Sequence, residues 1–516
     1  MAGTCPPRAR DSTRCSREAG GDASATPPIA RCPRGWHVGT ILRLVTGLRV
    51  ADPTDLPDAL PRRDFLKLAG VGAGALLTAA SQPGLAAAAP GPSPAARRGD
   101  AASHVVILGA GAWGSFTALE LRRRGHRVTM VDAYGPGNSR STSGDETRGI
   151  RSSYGDRGAG AQWTQWAHEA IGRWERFDAE HAKAFGSRFF IRTGDLILRE
   201  KDEPFLARTR EYWTAHGVPF EVLDGDEVRR RWPVINADDT TIALYEPAAG
   251  VARARAATQA AAALAQRAGA KLVIGRATPG PITNGMLDGL VLQDGTVIRG
   301  DTYLLCVGPW FRMLLPDLMA PRTRVPIGHV CYFATPPGDG RFSAPNLPSW
   351  NIPGVTGWPS LPFDARGFRV RGAVPPPPPP PGVEPPPPPP PLPPDPAQQD
   401  PDRSSRVTNQ DRIDGARRVL ARRFPLLAEA PLNETRACHY ESSVNSDFII
   451  DLLPETQNCW IAGLGQAEGF KFAPVVSEYI ASRVEGRPGD PALAKAFAFP
   501  AQTYDTLPRP GREEDE

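Results

Sequence analysis

The chain has 516 residues, 41% of them apolar, and a formal charge of +4. That length suffices for two or three domains with ordinary cores. Residues 1–89 hold 11 Lys+Arg against 7 Asp+Glu, the whole of the +4, while the remaining 49 of each cancel, so the main body offers no basic signal for nucleic acid. Cys5, Cys15 and Cys32 fall in a Pro/Arg/Ser-rich lead that reads as a disordered leader or a start site set too early, so 1–60 is set aside. Cys306, Cys331, Cys438 and Cys459 show no CxxC or Cys/His metal spacing, and no metal site is expected. Cys306 and Cys331 sit in apolar runs and read as buried thiols.

Pro61-Arg-Arg-Asp-Phe-Leu-Lys67 matches a twin-arginine export signal. The apolar run after it, 68–80, is shorter than the ~20 residues that cross a bilayer. Residues 85–89 offer a small-residue cleavage site, so 61–89 reads as a signal peptide. This route carries folded proteins, which implies twin-arginine machinery as a partner and a periplasmic or extracellular destination in a bacterium.

Residues 104–108 read as a buried strand, followed at once by Gly109-x-Gly111-x-x-Gly114, a helix over 115–124 and a second strand ending at Asp132. In that strand–turn–helix setting the glycines admit a pyrophosphate, the helix N-terminus favours its charge, and Asp132 should accept from ribose hydroxyls. Residues 162–186 form a helical pattern in which Trp163, Trp166, Ala170 and Trp174 read as a core stripe. Residues 189–198 read as paired strands, 251–269 as an Ala-rich helix, and 290–310 as a hairpin and a buried strand leading to Gly308. Two runs of seven prolines, 375–381 and 385–391, read as a polyproline II rod. It reads as a repeat-expanded surface loop, a docking rod for a partner, or a spacer that holds something off the surface. Strand alternation puts Cys438 and Tyr440 on one face. A glycine-rich turn at 463–469 leads to a helix over 475–484 whose N-terminal dipole would favour a negative charge.

Three segments carry a resemblance. They are Val105-Val-Ile-Leu-Gly-Ala-Gly-Ala-Trp-Gly114; Ser141-Thr-Ser-Gly-Asp-Glu-Thr-Arg-Gly-Ile-Arg-Ser-Ser-Tyr-Gly155; and the Cys438 region with Gly469-Phe-Lys-Phe472. Together they resemble the monomeric sarcosine oxidase / N-methyltryptophan oxidase family of FAD-dependent amine oxidoreductases, in the D-amino acid oxidase superfamily. The resemblance implies an α/β two-domain flavoprotein: a Rossmann-like FAD-binding domain with an inserted antiparallel-sheet substrate domain. It assigns 104–190, 251–322 and 436–487 to the FAD-binding domain. It assigns 191–250 and 323–435, with the insert 375–396, to the substrate domain, and 488–516 to a tail.

The resemblance also implies roles. FAD would be joined covalently to Cys438. Thr147 and Arg148 would lie near the flavin ring, with Gly308, Gly463, Gly465 and Gly469 close to the cofactor. Arg151 and Lys471 would hold the substrate carboxylate, with Tyr440 beside them. Arg369 stands where the family places an oxygen-activating lysine, which puts oxygen as acceptor in doubt. A tyrosine before Gly357-Trp-Pro-Ser360 and a histidine after the lysine are absent, so the amine differs from sarcosine on this reading. The expected reaction is oxidation of a secondary amine or N-methyl amino acid by hydride transfer to flavin N5. The imine is then hydrolysed, and oxygen reoxidises the flavin to give peroxide. An exported dehydrogenase with another electron acceptor, or a non-catalytic flavin-binding protein, are the other readings.

Overall fold

The computed structural model describes residues 102–156, 160–375, 396–487 and 489–506. The twin-arginine stretch, residues 376–395 of the proline insert and the chain after 506 lie outside the described residues. Among the described residues no helix is long and apolar enough to cross a membrane.

His104–Leu108 is a near-continuous apolar run, as a strand covered on both faces requires. It lies inside a six-stranded sheet ordered Ile449–Leu452, Cys459–Gly463, Thr302–Leu305, His104–Leu108, Arg127–Asp132, Lys271–Ile274. All neighbours are parallel except the first pair. Helices Ala112–Arg123, Ala254–Arg267 and Gly469–Val484 share one core against this sheet. The alanine face of the second (Ala257, Ala260, Ala261) is fully buried, and small side chains suit that close packing.

Gly160–Phe185 is one helix, with Trp163 and Trp174 in the core and Trp166 half-buried against Tyr479 and Phe497. The stripe also carries hydrogen bonds. Trp174 Nε1 donates to the Lys471 carbonyl at 2.8 Å. Trp113 Nε1, from the first helix, donates to the Gly469 carbonyl at 2.8 Å. Buried indole N–H groups need partners, and here they fix the start of the last helix. That helix begins at Gly469, six residues ahead of its expected start, and runs through Pro474. As the sixth residue of the helix, Pro474 withholds the N–H that would meet the Phe470 carbonyl, so one intrahelical hydrogen bond is given up there.

The second sheet has eight strands, ordered Leu432–His439, Ile327–Phe333, Phe368–Arg371, Val355–Trp358, Ser349–Ile352, Asp195–Arg199, Ile242–Glu246, Glu221–Leu223. It is antiparallel except where Ser349–Ile352 runs parallel to Asp195–Arg199. Two expectations need correcting. The Cys438 strand belongs to this sheet, paired to Ile327–Phe333, so the chain leaves the second sheet after His439 rather than at 435. The strands Phe190–Arg192 and Asp195–Arg199 do not pair with each other. Phe190–Arg192 instead joins Gly250–Ala252 and Arg148–Ile150 in a three-stranded sheet. Gly194, at φ +72°, separates the two strands.

Candidate active site

The parallel strands end on one rim. Gly109 follows His104–Leu108, Asp132 closes Arg127–Asp132, Gly308 lies three residues past Thr302–Leu305, and Gly463 closes Cys459–Gly463. Ligands of open parallel sheets bind at the carboxyl ends of the strands. A cavity of about 270 Å³ opens there, lined by Gly109, Gly111, Asp132, Gly308, Gly463, Gly465 and Gly469 among others.

The three loop glycines serve different ends. A Cβ on Gly109 would stand 2.3 Å from the Cys306 carbonyl oxygen, and one on Gly114 would stand 1.9 Å from that of Gly109. Both are required by the chain itself, and Gly114 lies outside the cavity wall. A Cβ on Gly111 meets only Ser143 Oγ, at 3.4 Å, so this glycine keeps room for a ligand. The adjoining helix has no acidic residue in its first turn to repel an anion. Asp132 accepts from the backbone N–H groups of Ala110 (2.7 Å), Tyr134 (2.8 Å) and Gly135 (2.8 Å). It therefore shapes the loop; Oδ1 already accepts two of these bonds, and Oδ2, which accepts one, retains acceptor capacity for a hydroxyl. These features fit a bound dinucleotide.

A second cavity, about 80 Å³, adjoins the first and shares Thr142, Arg148, Ala467 and Phe470 with it. The structure brings Arg148, Arg151, Arg369, Cys438, Tyr440 and Lys471 together on its wall. Arg148 Nη2 lies 3.2 Å from Cys438 Sγ and donates to the Thr142 carbonyl at 2.7 Å. Its Nη1 pairs with buried Asp145. Burial pushes the Cys438 thiol up, and the Arg148 guanidinium offsets this in part. Burial opposes ionisation of Asp145 too, yet Arg148 and Arg369 hold its carboxyl below the usual range.

Lys471 Nζ donates to Tyr154 Oη at 2.5 Å and pairs with Glu468. The Arg151 side chain makes no hydrogen bond or ion pair among the described residues. Burial opposes its charge, and the fields of Asp195, Glu468, Tyr154 and Glu246 more than restore it. Arg369 is 2% exposed and stacks on Trp358 with Cζ 3.6 Å from the ring centre. Its Nη2 is 3.8 Å from Asp145, while Nε and Nη1 have no hydrogen-bond partner among the described residues. Burial lowers its guanidinium to about 10.

One side chain is misplaced by the expectation. Thr147 lines neither cavity; its hydroxyl hydrogen-bonds Tyr332 Oη (3.2 Å) and accepts from Trp358 Nε1 (3.2 Å). Sequence reading missed Asp145, Glu441, Glu468 and Arg371. Glu441 lines the larger cavity, accepts from Gly465 N at 3.2 Å, and has its carboxyl pushed up by burial. Asp145 and Glu468 lay inside quoted motifs, but their pairing with Arg148 and Lys471 depends on side-chain placement. Arg371 was legible, since alternation in Phe368–Arg371 puts it on the face of Arg369.

Parallel strands ending on a glycine loop, with a second sheet placing cations beside that rim, define a dinucleotide-dependent oxidoreductase. The chain belongs to the FAD dependent oxidoreductase (DAO) family, whose model matches residues 104–483. It is 27% identical over 388 residues to N-methyl-L-tryptophan oxidase of Citrobacter koseri, covering 74% of this chain and 95% of that one. It is 25% identical over 390 residues to monomeric sarcosine oxidase of Bacillus sp. strain B-0618, covering 73% and 90%. The fold is similar to that of the fructosamine oxidase Amadoriase II from Aspergillus fumigatus. There the TM-score is 0.61 and the identity 23%, with 77% of this chain and 89% of that one covered.

Proposed function

We propose that the chain oxidises a secondary amine or N-methyl amino acid, with Arg151 and Lys471 holding the substrate carboxylate. The observation that carries this is their meeting on one small cavity that opens onto the dinucleotide site. Arg151 is charged, desolvated and uncommitted to any contact carboxylate, so it can take both oxygens of a carboxylate. Bound FAD would supply the two-electron acceptor for the hydride leaving the carbon next to nitrogen. The wall's own chemistry prepares that step. Five cations (Arg148, Arg151, Arg369, Arg371, Lys471) face two carboxylates (Asp145, Glu468), which favours the neutral, reactive amine over the ammonium ion. The imine product then takes up water and splits to a carbonyl compound and an amine.

Cys438 is the residue proposed to bind the flavin covalently. Its sulfur faces the small cavity beside Arg148, which supports the thiolate needed for attachment. Oxygen is the proposed acceptor. Arg369, held against Trp358 where the family has lysine, favours as second reading a dehydrogenase that passes electrons elsewhere. Export by the twin-arginine route is proposed on the motif at 61–67, and cell fractionation of Arg62→Lys/Arg63→Lys against the unaltered chain tests it.

The test of the central reading is anaerobic mixing of the FAD-loaded protein with a panel of N-methyl amino acids. Bleaching of the flavin absorbance by one or more supports it. Persistent colour with every amine would leave a flavin-binding protein without this activity. Peroxide yield in air, against reduction of an artificial dye, then separates oxidase from dehydrogenase.

A further inference from the structure

We propose that Arg371 reads a second acidic group on the substrate, so that the amine is an N-substituted amino dicarboxylic acid. The inference rests on the amine-oxidising reading and narrows it. Arg371 ends the strand Phe368–Arg371 and lines the small cavity with Arg151, Cys438 and Lys471. Its neighbours in the sheet are Val330 and Thr356, which offer it no charge.

The space for its guanidinium is built. On the adjacent strand, Gly328 sits opposite Cys438. A Cβ there would stand 3.3 Å from Arg371 Nε and Nη2 and 3.6 Å from Tyr440 Cε1. A side chain at 328 would press on the guanidinium while only touching the tyrosine ring. Arg371 stands over that ring with Cζ 5.6 Å from its centre. This contact orients a guanidinium without consuming its in-plane N–H donors.

The charge balance of the cavity gives the second argument. Asp145 is engaged by Arg148 and, at 3.8 Å, by Arg369. Glu468 is engaged by Lys471. Arg371 makes no hydrogen bond or ion pair among the described residues. With two carboxylates against five cations on the wall, one substrate carboxylate at Arg151 and Lys471 leaves the wall itself two positive charges in excess, and the acids behind it, Asp195 and Glu246, act on Arg151. Half-buried guanidinium groups are costly without an anion or ordered hydrogen-bond partners. A second carboxylate reaching Arg371 would take two of its donors in the bidentate geometry that arginine favours.

The test uses the full FAD-loaded chain. The kcat/KM values for iminodiacetate, N-methyl-L-aspartate and N-methyl-L-glutamate are compared with those for sarcosine and N-methyl-L-alanine. Binding is read separately from the flavin spectrum with thiodiacetate and with methylthioacetate, in which sulfur replaces the amine nitrogen. The expected result is a preference of about 10-fold or more for one dicarboxylate, in kcat/KM and in Kd, the scale of one charged hydrogen-bonded pair. In Arg371→Gln that preference ratio should fall about 10-fold, chiefly through KM, and Arg371→Lys should restore part of it. Melting temperatures of the variants verify folding. Oxidation of monocarboxylates at equal or better rates, or an Arg371→Gln variant with an unchanged preference ratio, would overturn the proposal while leaving the amine-oxidising reading intact. Flavin bleached by neither class would overturn both.

Discussion

The guanidinium of Arg148 joins two sites, reaching Cys438 Sγ at 3.2 Å with one nitrogen and pairing Asp145 with the other. It stands on the shared wall of the two cavities, where a flavin ring and a thiolate would meet. Burial alone would keep the Cys438 thiol protonated, and Arg148 is the main charge working against that. Flavin attachment should therefore depend on both residues. After acid denaturation, yellow colour should stay with the unaltered protein and leave Cys438→Ala. Arg148→Met should attach flavin more slowly, by about 10-fold for each unit of thiol pKa regained. Equal retention of colour by Cys438→Ala would refute a bond at this cysteine.

Arg151 differs from Lys471 in its starting state. Lys471 is already paired with Glu468, whereas Arg151 has no contact carboxylate among the described residues. Replacing Arg151 by Gln should lower kcat/KM for a carboxylate-bearing amine by about 10²-fold, on the order of 3 kcal/mol, mostly through KM. Steady-state kinetics with an amine and its carboxamide counterpart check this, because the amide should be nearly indifferent to the change.

Glu246 gives the protein a pH dependence that has nothing to do with electron transfer. Its carboxylate, 1% exposed, accepts from Ser152 Oγ at 2.5 Å and Ser152 N at 3.0 Å, with Asp195 and Arg151 nearby. Burial pushes it up to about 7 from an ordinary 4.5. The raised folded-state value means that its contribution is complete below about 4.5 and is lost as pH rises through 7. The size is on the order of 3 kcal/mol. Between pH 5 and 7 the unaltered protein should lose stability relative to Glu246→Gln. Parallel melting curves for the two would show that Glu246 is ionised without penalty.

Asp402 ties the chain after the proline insert to the larger cavity. It accepts from Tyr134 Oη at 2.7 Å and from Arg276 Nη2 at 2.7 Å, and both residues line that cavity. Removing this clasp should loosen FAD at its nucleotide end. In a Cys438→Ala background, Asp402→Ala should raise the Kd for FAD about 5-fold, equivalent to about 1 kcal/mol, as measured by flavin fluorescence.

Arg369 offers a test of the electron acceptor. Lysine there would replace a planar guanidinium stacked on Trp358 with a compact ammonium. If the arginine disfavours oxygen, Arg369→Lys should raise the ratio of peroxide formation to dye reduction by about 10-fold or more. An unchanged ratio would show that the acceptor is chosen elsewhere.

Local sequence was sufficient for the nucleotide half. A buried strand, a glycine loop with its helix, and an acid at the end of the next strand are set by backbone sterics and short-range periodicity. That is why Gly109, Gly111 and Asp132 were legible before any fold was known. The cofactor's identity and the pairing of Arg151 with Lys471 were read from a resemblance, and the structure places both side chains on one cavity wall.

What the chain alone left open was decided by contacts between distant segments. Thr147 turned away from the flavin side because Tyr332 and Trp358, some two hundred residues on, offered its buried hydroxyl partners. The last helix began early because Trp113 and Trp174 bind the carbonyls of its first turn. Arg371 became a cavity-facing cation because Gly328 on another strand leaves it room, and among the described residues no acid pairs with it. Local periodicity sets a strand or helix and the face a residue occupies. Which buried donor meets which acceptor, and which charge is left without one, is set only when the two sheets come together.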